Sequence, residues 1–261
     1  MTFSVLTYNI WFDPSDRKDR TESLCATIAD SDPDVICLQE VIPEVYSDLK
    51  SILTTYKYSF PETIDKSYGC AIMSKYPIIE SKDIPFRSTM MDRSLVIISI
   101  EIPVIKEEDK GICTFKQKIL VGTAHFESRF KKKEKNADKV DQYKETYEIL
   151  EKIYSKNNTP IIFSSDTNLM FHEEDDFFPG RPNNGWNDCW EIKKDSNQKY
   201  TYDYYTNKNL KLKNVGKFRS RLDRILYKSE DLKMNRYSLI KGIVGMIAPS
   251  DHHGVYAQFA F

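Results

Sequence analysis

Nowhere in this 261-residue chain do 18 apolar residues follow one another, so no segment reads as a membrane-spanning helix. The first residues, MTFSVLTYNIWF, carry neither a basic leader nor a small-residue cleavage pattern, and the expectation is an intracellular protein that spans no membrane. Cysteine is sparse. Cys25, Cys37, Cys70, Cys113 and Cys189 are odd in number and contain no CxxC pair, which argues against a zinc site or a disulfide framework and for reduced, buried thiols. Net charge is also lacking: the total is −1, so attraction for a polyanion has to be local. The contrast lies between KKKEKNADK at Lys131 to Lys139 and EEDD at Glu173 to Asp176.

What is present fits one large soluble domain. The chain is 40% hydrophobic and 30% charged, unlike a disordered one, and a chain of this length can bury roughly 70–75% of its unfolded surface. No repeat, linker or low-complexity stretch divides it, so residues 1–261 are expected to form a single α/β domain.

Apolar runs recur along the chain and several end in polar residues. Phe3 to Ile10 predicts a strand with Asn9 near its end. Asp16 to Asp32 predicts a helix with Leu24, Cys25 and Ile28 inward, stopped by Pro33. Asp34 to Leu38 (DVICL) runs straight into Gln39 and Glu40, and Pro43 then opens a helix with Val45, Leu49, Ile52 and Leu53 on one face. Tyr68 to Ser74, Ser94 to Ile102 and Ile119 to Phe126 read as strands, with Lys106 to Gly111 as a charged turn and His125 at the end of the third strand. Glu134 to Lys156 has helical spacing through Val140, Tyr143, Tyr147, Leu150 and Tyr154. Pro160 to Met170 (PIIFSSDTNLM) is a core-strand pattern breaking into Asp166 and Asn168. Phe177 to Gly185 reads as loop, Arg221 to Tyr227 as a strand containing Asp223, and Val255 to Phe261 as the last strand, just after Asp251 and His252.

A single polar strand end is commonly a turn. Five of them, at Asn9, Glu40, His125, Asp166 with Asn168, and Asp251 with His252, suggest a cleft of acids, amides and imidazoles along one sheet edge. Oxygen donors dominate, which favours Mg2+ or Mn2+ over zinc. Such a set suits metal-assisted attack of water on a phosphate ester. Glu40 would hold the cation, Asp166 would orient or deprotonate the water with Asn168 beside it, and His252 would stabilise the transition state. A carboxylate such as Asp223 against the far ring nitrogen of His252 would keep that ring charged and oriented.

TYNIW, LQEV, TAHFES, SDTN, RLDRI and SDH, in that order, resemble the endonuclease/exonuclease/phosphatase superfamily of Mg2+-dependent phosphoesterases. LQEVIP, MMDRSL, HFESR, DTNL, PNN followed by DCWE, and FRSRLDRI are similar to the 5′-tyrosyl-DNA phosphodiesterases within it. The resemblance spans essentially the whole chain. It implies a four-layer α/β sandwich, two mixed β-sheets packed face to face with helices outside. Glu40 would be the principal metal ligand, Asn9 and Asp251 would support the metal and the phosphate pocket, and Asp166 and Asn168 would handle water. His252, paired with Asp223, would act on the phosphate, and His125, Ser128 and Arg93 would contact it.

The implied substrate is a DNA 5′ end carrying a tyrosyl adduct, with a topoisomerase-derived peptide as the protein part. The implied product is a 5′-phosphate end. The resemblance further implies a Mg2+ cofactor (Mn2+ substituting), a monomer, and a nuclear location. Three positions depart from the pattern. Trp11 stands where many members carry Asp, Met170 where near relatives have Arg, and Tyr202 where they have a Trp; Tyr202 can still stack on a base. Other readings are another branch of the superfamily (abasic-site endonuclease, sphingomyelinase, inositol phosphatase) and a catalytically dead DNA-end binding module. The basic run at Lys131 to Lys139 is either a track for a phosphate backbone or the solvated start of a helix. His172 to Asp175 (HEED) reads as an exposed acidic loop.

Overall fold

The computed structural model describes residues 1–108, 111–128, 136–170, 173, 177–178, 184–212 and 216–261. In chain order the strands are β1 (Thr2–Asn9), β2 (Val35–Val41), β3 (Tyr58–Phe60), β4 (Gly69–Ser74), β5 (Ile78–Pro85), β6 (Ser94–Glu108) and β7 (Gly111–Ala124). They continue as β8 (Ile161–Asp166), β9 (Asn187–Asp188), β10 (Tyr202–Asp203), β11 (Arg219–Ser220), β12 (Asp223–Lys228), β13 (Lys233–Ile240) and β14 (Gly254–Ala260). The helices are α1 (Arg17–Ser31), α2 (Pro43–Ile52), α3 (Ala137–Asn157), α4 (Cys189–Lys193) and α5 (Lys208–Leu212).

Two mixed six-stranded sheets result, in the orders β13-β14-β1-β2-β4-β3 and β5-β6-β7-β8-β12-β9. Between them lies one apolar layer that includes Phe3, Val5, Val35, Cys37, Val96, Ile98, Val121, Ile162 and Ile225. A second apolar layer, with Leu6, Tyr8, Ile36 and Leu38, lies against Leu24 and Ile28 of α1 and Val45 and Leu49 of α2. A third, with Leu120, Ile161 and Phe163, takes Tyr143 and Leu150 of α3. The architecture is therefore the expected four-layer α/β sandwich.

Strand parity explains where the polar residues go. Side chains alternate between faces with period two, so Phe3, Val5, Thr7 and Asn9 share the inter-sheet face of β1, as Val35, Cys37 and Gln39 do on β2. Val121 and Thr123 of β7 precede His125 in the same column; Ile162 and Ser164 of β8 precede Asp166; and β12 begins the column with Asp223 ahead of Ile225. The inner face turns from apolar to polar at one end of the sandwich. Strand direction makes these ends coincide, because β1 and β2 are parallel, β7 and β8 are parallel, and antiparallel β12 sets Asp223 opposite Asp166. β14 starts at the same end, with Val255 opposite Thr7. Gly254 has no alternative there, since a Cβ would stand 2.5 Å from Cδ2 of Tyr8.

Several sequence expectations are corrected. The charged turn expected over Lys106 to Gly111 is shorter: β6 and β7 stay paired from Leu95 with Ala124 out to Glu108 with Gly111, and residues 109–110 lie outside the described residues. Leading into that extension, Ile102 and Val104 of β6 are buried in the core. Ile52 is exposed on α2, and Tyr46 takes the inward place. Cys113 is exposed, whereas the other four thiols are buried and all five are free. Of the Phe177 to Gly185 loop, Phe177 and Phe178 are buried against Tyr143, Phe163 and Trp186. Residues 131–135 of the basic run, most of the 172–175 acidic run and residues 182–183 lie outside the described residues. Among the described residues no helix is long and apolar enough to cross a membrane.

Candidate active site

Parity would turn Glu40 away from the inner face, because Gln39 before it already points there. A β-bulge reverses this. Between Leu38 opposite Ala71 and Val41 opposite Gly69, β2 carries one extra residue, and Glu40 takes a left-handed φ of 58°. The side chain is thereby delivered to the edge, where Asn9 Nδ2 donates to its Oε1 at 3.1 Å and the Phe12 amide donates to Oε2 at 3.1 Å. Gln39 keeps the inner position. Its amide donates to Thr7 Oγ1 at 3.0 Å and to Thr123 Oγ1 at 2.9 Å, tying the two sheets together just behind Glu40.

Asn9 joins the two carboxylates. Its amide nitrogen also donates to Asp166 Oδ2 at 2.9 Å, while its carbonyl accepts the Trp11 amide at 2.9 Å, which orients the group. As bonded here, Asn9 presents nitrogen, not oxygen, to Glu40. Asp166 Oδ1 accepts the Asn168 backbone amide at 2.9 Å, an Asx turn that puts Asn168 at φ 47°. The Asn168 side-chain amide donates to Phe126 O at 2.9 Å, and Lys139 Nζ donates to Asn168 O at 2.8 Å.

His252 Nδ1 lies 2.8 Å from Asp223 Oδ2, and its Nε2 faces Asp166 Oδ2 at 3.9 Å. Burial alone would lower its pKa. The Asp223 carboxylate and its hydrogen bond, with Asp166 and Asp251, outweigh burial and raise it to about 10, so the ring is a cation at neutral pH. Asp166 is raised to about 6, first by burial and then by Asp223, against the pull of His252, Asn9 and the Asn168 amide. Burial and then Asp251 also raise Glu40.

His125 behaves differently. Its Nδ1 meets Arg93 Nη1 at 2.7 Å and must accept there, so the ring is neutral with a proton on Nε2. Burial first, then Arg93, hold its pKa well below the usual value. Its Nε2 is 3.4 Å from Asp166 and 3.9 Å from Glu40, and these are contacts of a neutral donor with carboxylates, not ion pairs.

A cavity of about 410 Å³ opens onto Glu40, His125, Asp166, Asn168 and His252, with Ser128, Met170, Tyr202 and Phe218 on its walls. The Tyr202 ring meets His252 edge-on at 5.1 Å, and Ser128 Oγ lies 3.4 Å from Met91 Sδ. Asp251 accepts from Ser250 Oγ at 3.3 Å and is felt electrostatically by both Glu40 and His252. A smaller cavity of about 140 Å³ shares only His125 with the first and is lined by Arg93, Tyr68, Pro61 and Ile64. There the Arg93 guanidinium lies 5.2 Å from the Tyr68 ring centroid. Asp166, Asp223 and His252 bring ligand-type atoms within 4.8 Å of one another, although His252 and Asp223 are committed to their mutual hydrogen bond.

Every sequence-predicted site residue thus stands at this edge or directly behind it. Sequence reasoning passed over the residues that hold them. Buried Lys139 pairs with Glu173 at 2.6 Å, so this member of the basic run is no phosphate track. Glu127, fully buried, accepts from Thr89 Oγ1 and the amides of Met90 and Met91, fixing the turn that carries Arg93. Thr201 Oγ1 accepts the Leu222 and Asp223 amides at 3.0 Å, and its carbonyl accepts the His253 amide at 2.7 Å, bridging the two sides of the His252–Asp223 pair. The inner-face column was a signal for Gln39. No local signal marks the others.

Two six-stranded sheets packed face to face, with acids, amides and imidazoles converging on one edge, define the class, and the chain belongs to the Endonuclease/Exonuclease/phosphatase family, whose model matches residues 6–108. Within that class it is similar to Tyrosyl-DNA phosphodiesterase 2 of Xenopus tropicalis, 31% identical over 274 residues, covering 99% of this chain and 66% of that protein. It is similar also to the Homo sapiens protein of that name, 30% identical over 264 residues, covering 97% of this chain and 67% of the other. The chain spans about two thirds of the length of these relatives. Its structure matches the crystal structure of D. rerio TDP2 complexed with single strand DNA product at a TM-score of 0.80 and 27% identity, covering 100% of this chain and 99% of that one.

Proposed function

We propose that this chain, acting as a single catalytic domain, is a metal-dependent phosphodiesterase. It hydrolyses the bond between a tyrosine side chain and the 5′ phosphate of DNA and leaves a 5′-phosphate end. The observation that carries the reading is the convergence of Glu40, Asp166 and a charged His252 on one cavity of about 410 Å³. The similarity to proteins named for this reaction supplies the substrate class.

The donor set fits a hard divalent cation such as Mg2+. Glu40 is held by two donors in a position that opens to the cavity, Asp251 is close behind, and the described lining of that cavity contains no cysteine. Asn9 keeps Glu40 and Asp166 apart and oriented, so its part is to support the ligand. A cation bound at Glu40 would neutralise phosphate charge as it develops. Asp166, with Asn168 beside it, orients the attacking water and takes its proton. His252 donates from Nε2 to a phosphoryl oxygen, its charge sustained by Asp223. His125 offers a neutral N–H, and Ser128 a hydroxyl, to the same phosphate.

Tyrosine leaves as a phenol of pKa about 10, well below an alkyl alcohol, so no strong acid is needed on that side. The cavity of about 140 Å³ beyond His125 is ring-sized, and Arg93 there meets a developing phenolate. Tyr202 and Phe218 form the opposite wall, where the terminal base stacks. The protein part of the substrate is a topoisomerase-derived peptide, and the enzyme acts as a monomer in the nucleus.

The test is release of tyrosine from a 5′-phosphotyrosyl oligonucleotide by the pure protein with Mg2+, abolished in Glu40→Ala, Asp166→Ala and His252→Ala. No release, together with cleavage of an abasic-site, sphingomyelin or inositol phosphate substrate, would overturn the substrate assignment. Binding of DNA ends without turnover of any ester would overturn the enzymatic reading itself.

A further inference from the structure

Arg20 is a buried cation on α1, a residue only 3% exposed, and carbonyl oxygens take its hydrogen bonds. Its Nε donates to Ser15 O at 2.8 Å; Nη1 donates to Trp11 O at 3.0 Å, Ile10 O at 3.3 Å and Pro249 O at 3.4 Å; Nη2 donates to Asp13 O. The Trp11 ring covers it, with the guanidinium carbon 4.2 Å from the ring centroid. One planar fork therefore gathers two loops that approach the site from different parts of the chain. The first, after β1, supplies the Trp11 amide that orients Asn9 and the Phe12 amide that holds Glu40 Oε2. The second, before β14, carries Asp251 and His252 two and three residues beyond Pro249.

Position 11 sharpens the point. Trp11 has a left-handed φ of 58°, and its indole, which has no oxygen to offer Glu40, lies over Arg20. The hydrogen bonds that orient Glu40 come from the Asn9 side chain and the Phe12 backbone amide, and Arg20 holds the backbone that provides the second of them. We propose that Arg20, which touches neither substrate nor cation, is the positioning residue that sets divalent-cation affinity at Glu40, with Trp11 as its cover. This rests on Glu40 being the carboxylate that holds the cation.

The experiment is Mn2+ binding to the full chain, read by electron paramagnetic resonance of the free ion, in the parent protein, Glu40→Ala, Arg20→Lys and Trp11→Leu. Lysine keeps the charge but offers one nitrogen in place of the planar fork, and Arg20→Lys is expected to weaken Mn2+ binding about tenfold, the lower end for loss of an outer support. The Mn2+ concentration that half-saturates cleavage should rise by the same factor. A role in stability alone would lower the unfolding temperature and leave the Mn2+ affinity of the folded protein at the parent value, and that result would overturn the inference. If Arg20→Lys does not fold, Trp11→Leu reads the same loop: weakened Mn2+ binding supports the assignment and unchanged binding overturns it. Equal binding by the parent and Glu40→Ala would show instead that the cation site at Glu40 is wrong, and the inference would fall with it.

Discussion

His252 Nδ1 and Asp223 Oδ2 stand 2.8 Å apart although 29 residues separate them, both buried, with Asp223 paired directly across the sheet from Asp166. One carboxylate thereby sustains the charge of His252 and raises the pKa of Asp166. Under the proposed mechanism Asp166 works ionised and His252 protonated, and Asp223 raises both groups, Asp166 to about 6 and His252 to about 10.

The pH profile of cleavage should follow from this pair. Activity is expected to rise through about pH 6 as Asp166 ionises and to fall as the pH approaches about 10, where His252 loses its proton. Asp223→Asn should bring the alkaline limb down towards neutral pH; an unmoved limb in kcat/KM would dissociate Asp223 from His252. Stability shares the sign. The folded pKa of His252 is raised from 6.5 to about 10, so the stabilisation is complete below 6.5 and disappears as the pH rises through about 10. Urea midpoints measured across that window in the parent and Asp223→Asn proteins check it.

Asn9 bonds to both Glu40 and Asp166 through one amide nitrogen. Asn9→Ala should lower cleavage or cation affinity about 10–100-fold, as loss of an outer hydrogen-bond partner does at metal sites. Titration of activity against Mg2+ concentration separates the two effects.

Lys139 and Glu173 form an ion pair with both side chains almost wholly buried, and Lys139 also holds the Asn168 carbonyl. Lys139→Met strands the Glu173 charge and should cost about 3–5 kcal/mol in urea unfolding. The double variant with Glu173→Gln should recover much of that loss. Asn168 would still lack its anchor, so kcat should stay low when stability returns.

Tyr202 lines the cavity and rests edge-on against His252. Its removal in Tyr202→Ala should weaken binding of an oligonucleotide product by about 1–3 kcal/mol, the value of one stacked base. Fluorescence anisotropy of a 5′-phosphorylated strand measures this. Equal affinity of the two proteins would take the terminal base off this wall.

Much of the site was legible because strand periodicity is local. Asn9, Asp166 and Asp223 lie in alternating columns that carry apolar residues such as Phe3, Val5, Ile162 and Ile225 and turn polar at one end, and a polar residue ending such a column has few places to go except a shared edge. Glu40 was legible as a residue and not as a direction, since its alternation points the wrong way and only the bulge opposite β4 corrects it. Lys139 could not be read at all. In a run of lysines nothing local distinguishes the one that meets Glu173, and burial depends on how α3 docks. The same holds for Arg20, whose carbonyl partners come from two loops that the chain order keeps far apart.

The amino-acid order determined the core strands β1, β2, β4, β7, β8, β12 and β14, the helices α1, α2 and α3, the apolar columns and the set of oxygen and imidazole groups at their ends, because each follows from neighbours two to four residues away. Tertiary structure alone decided that His252 is charged and His125 neutral. One ring faces the Asp223 carboxylate and the other the Arg93 guanidinium, and those contacts exist only once the two sheets have closed on each other.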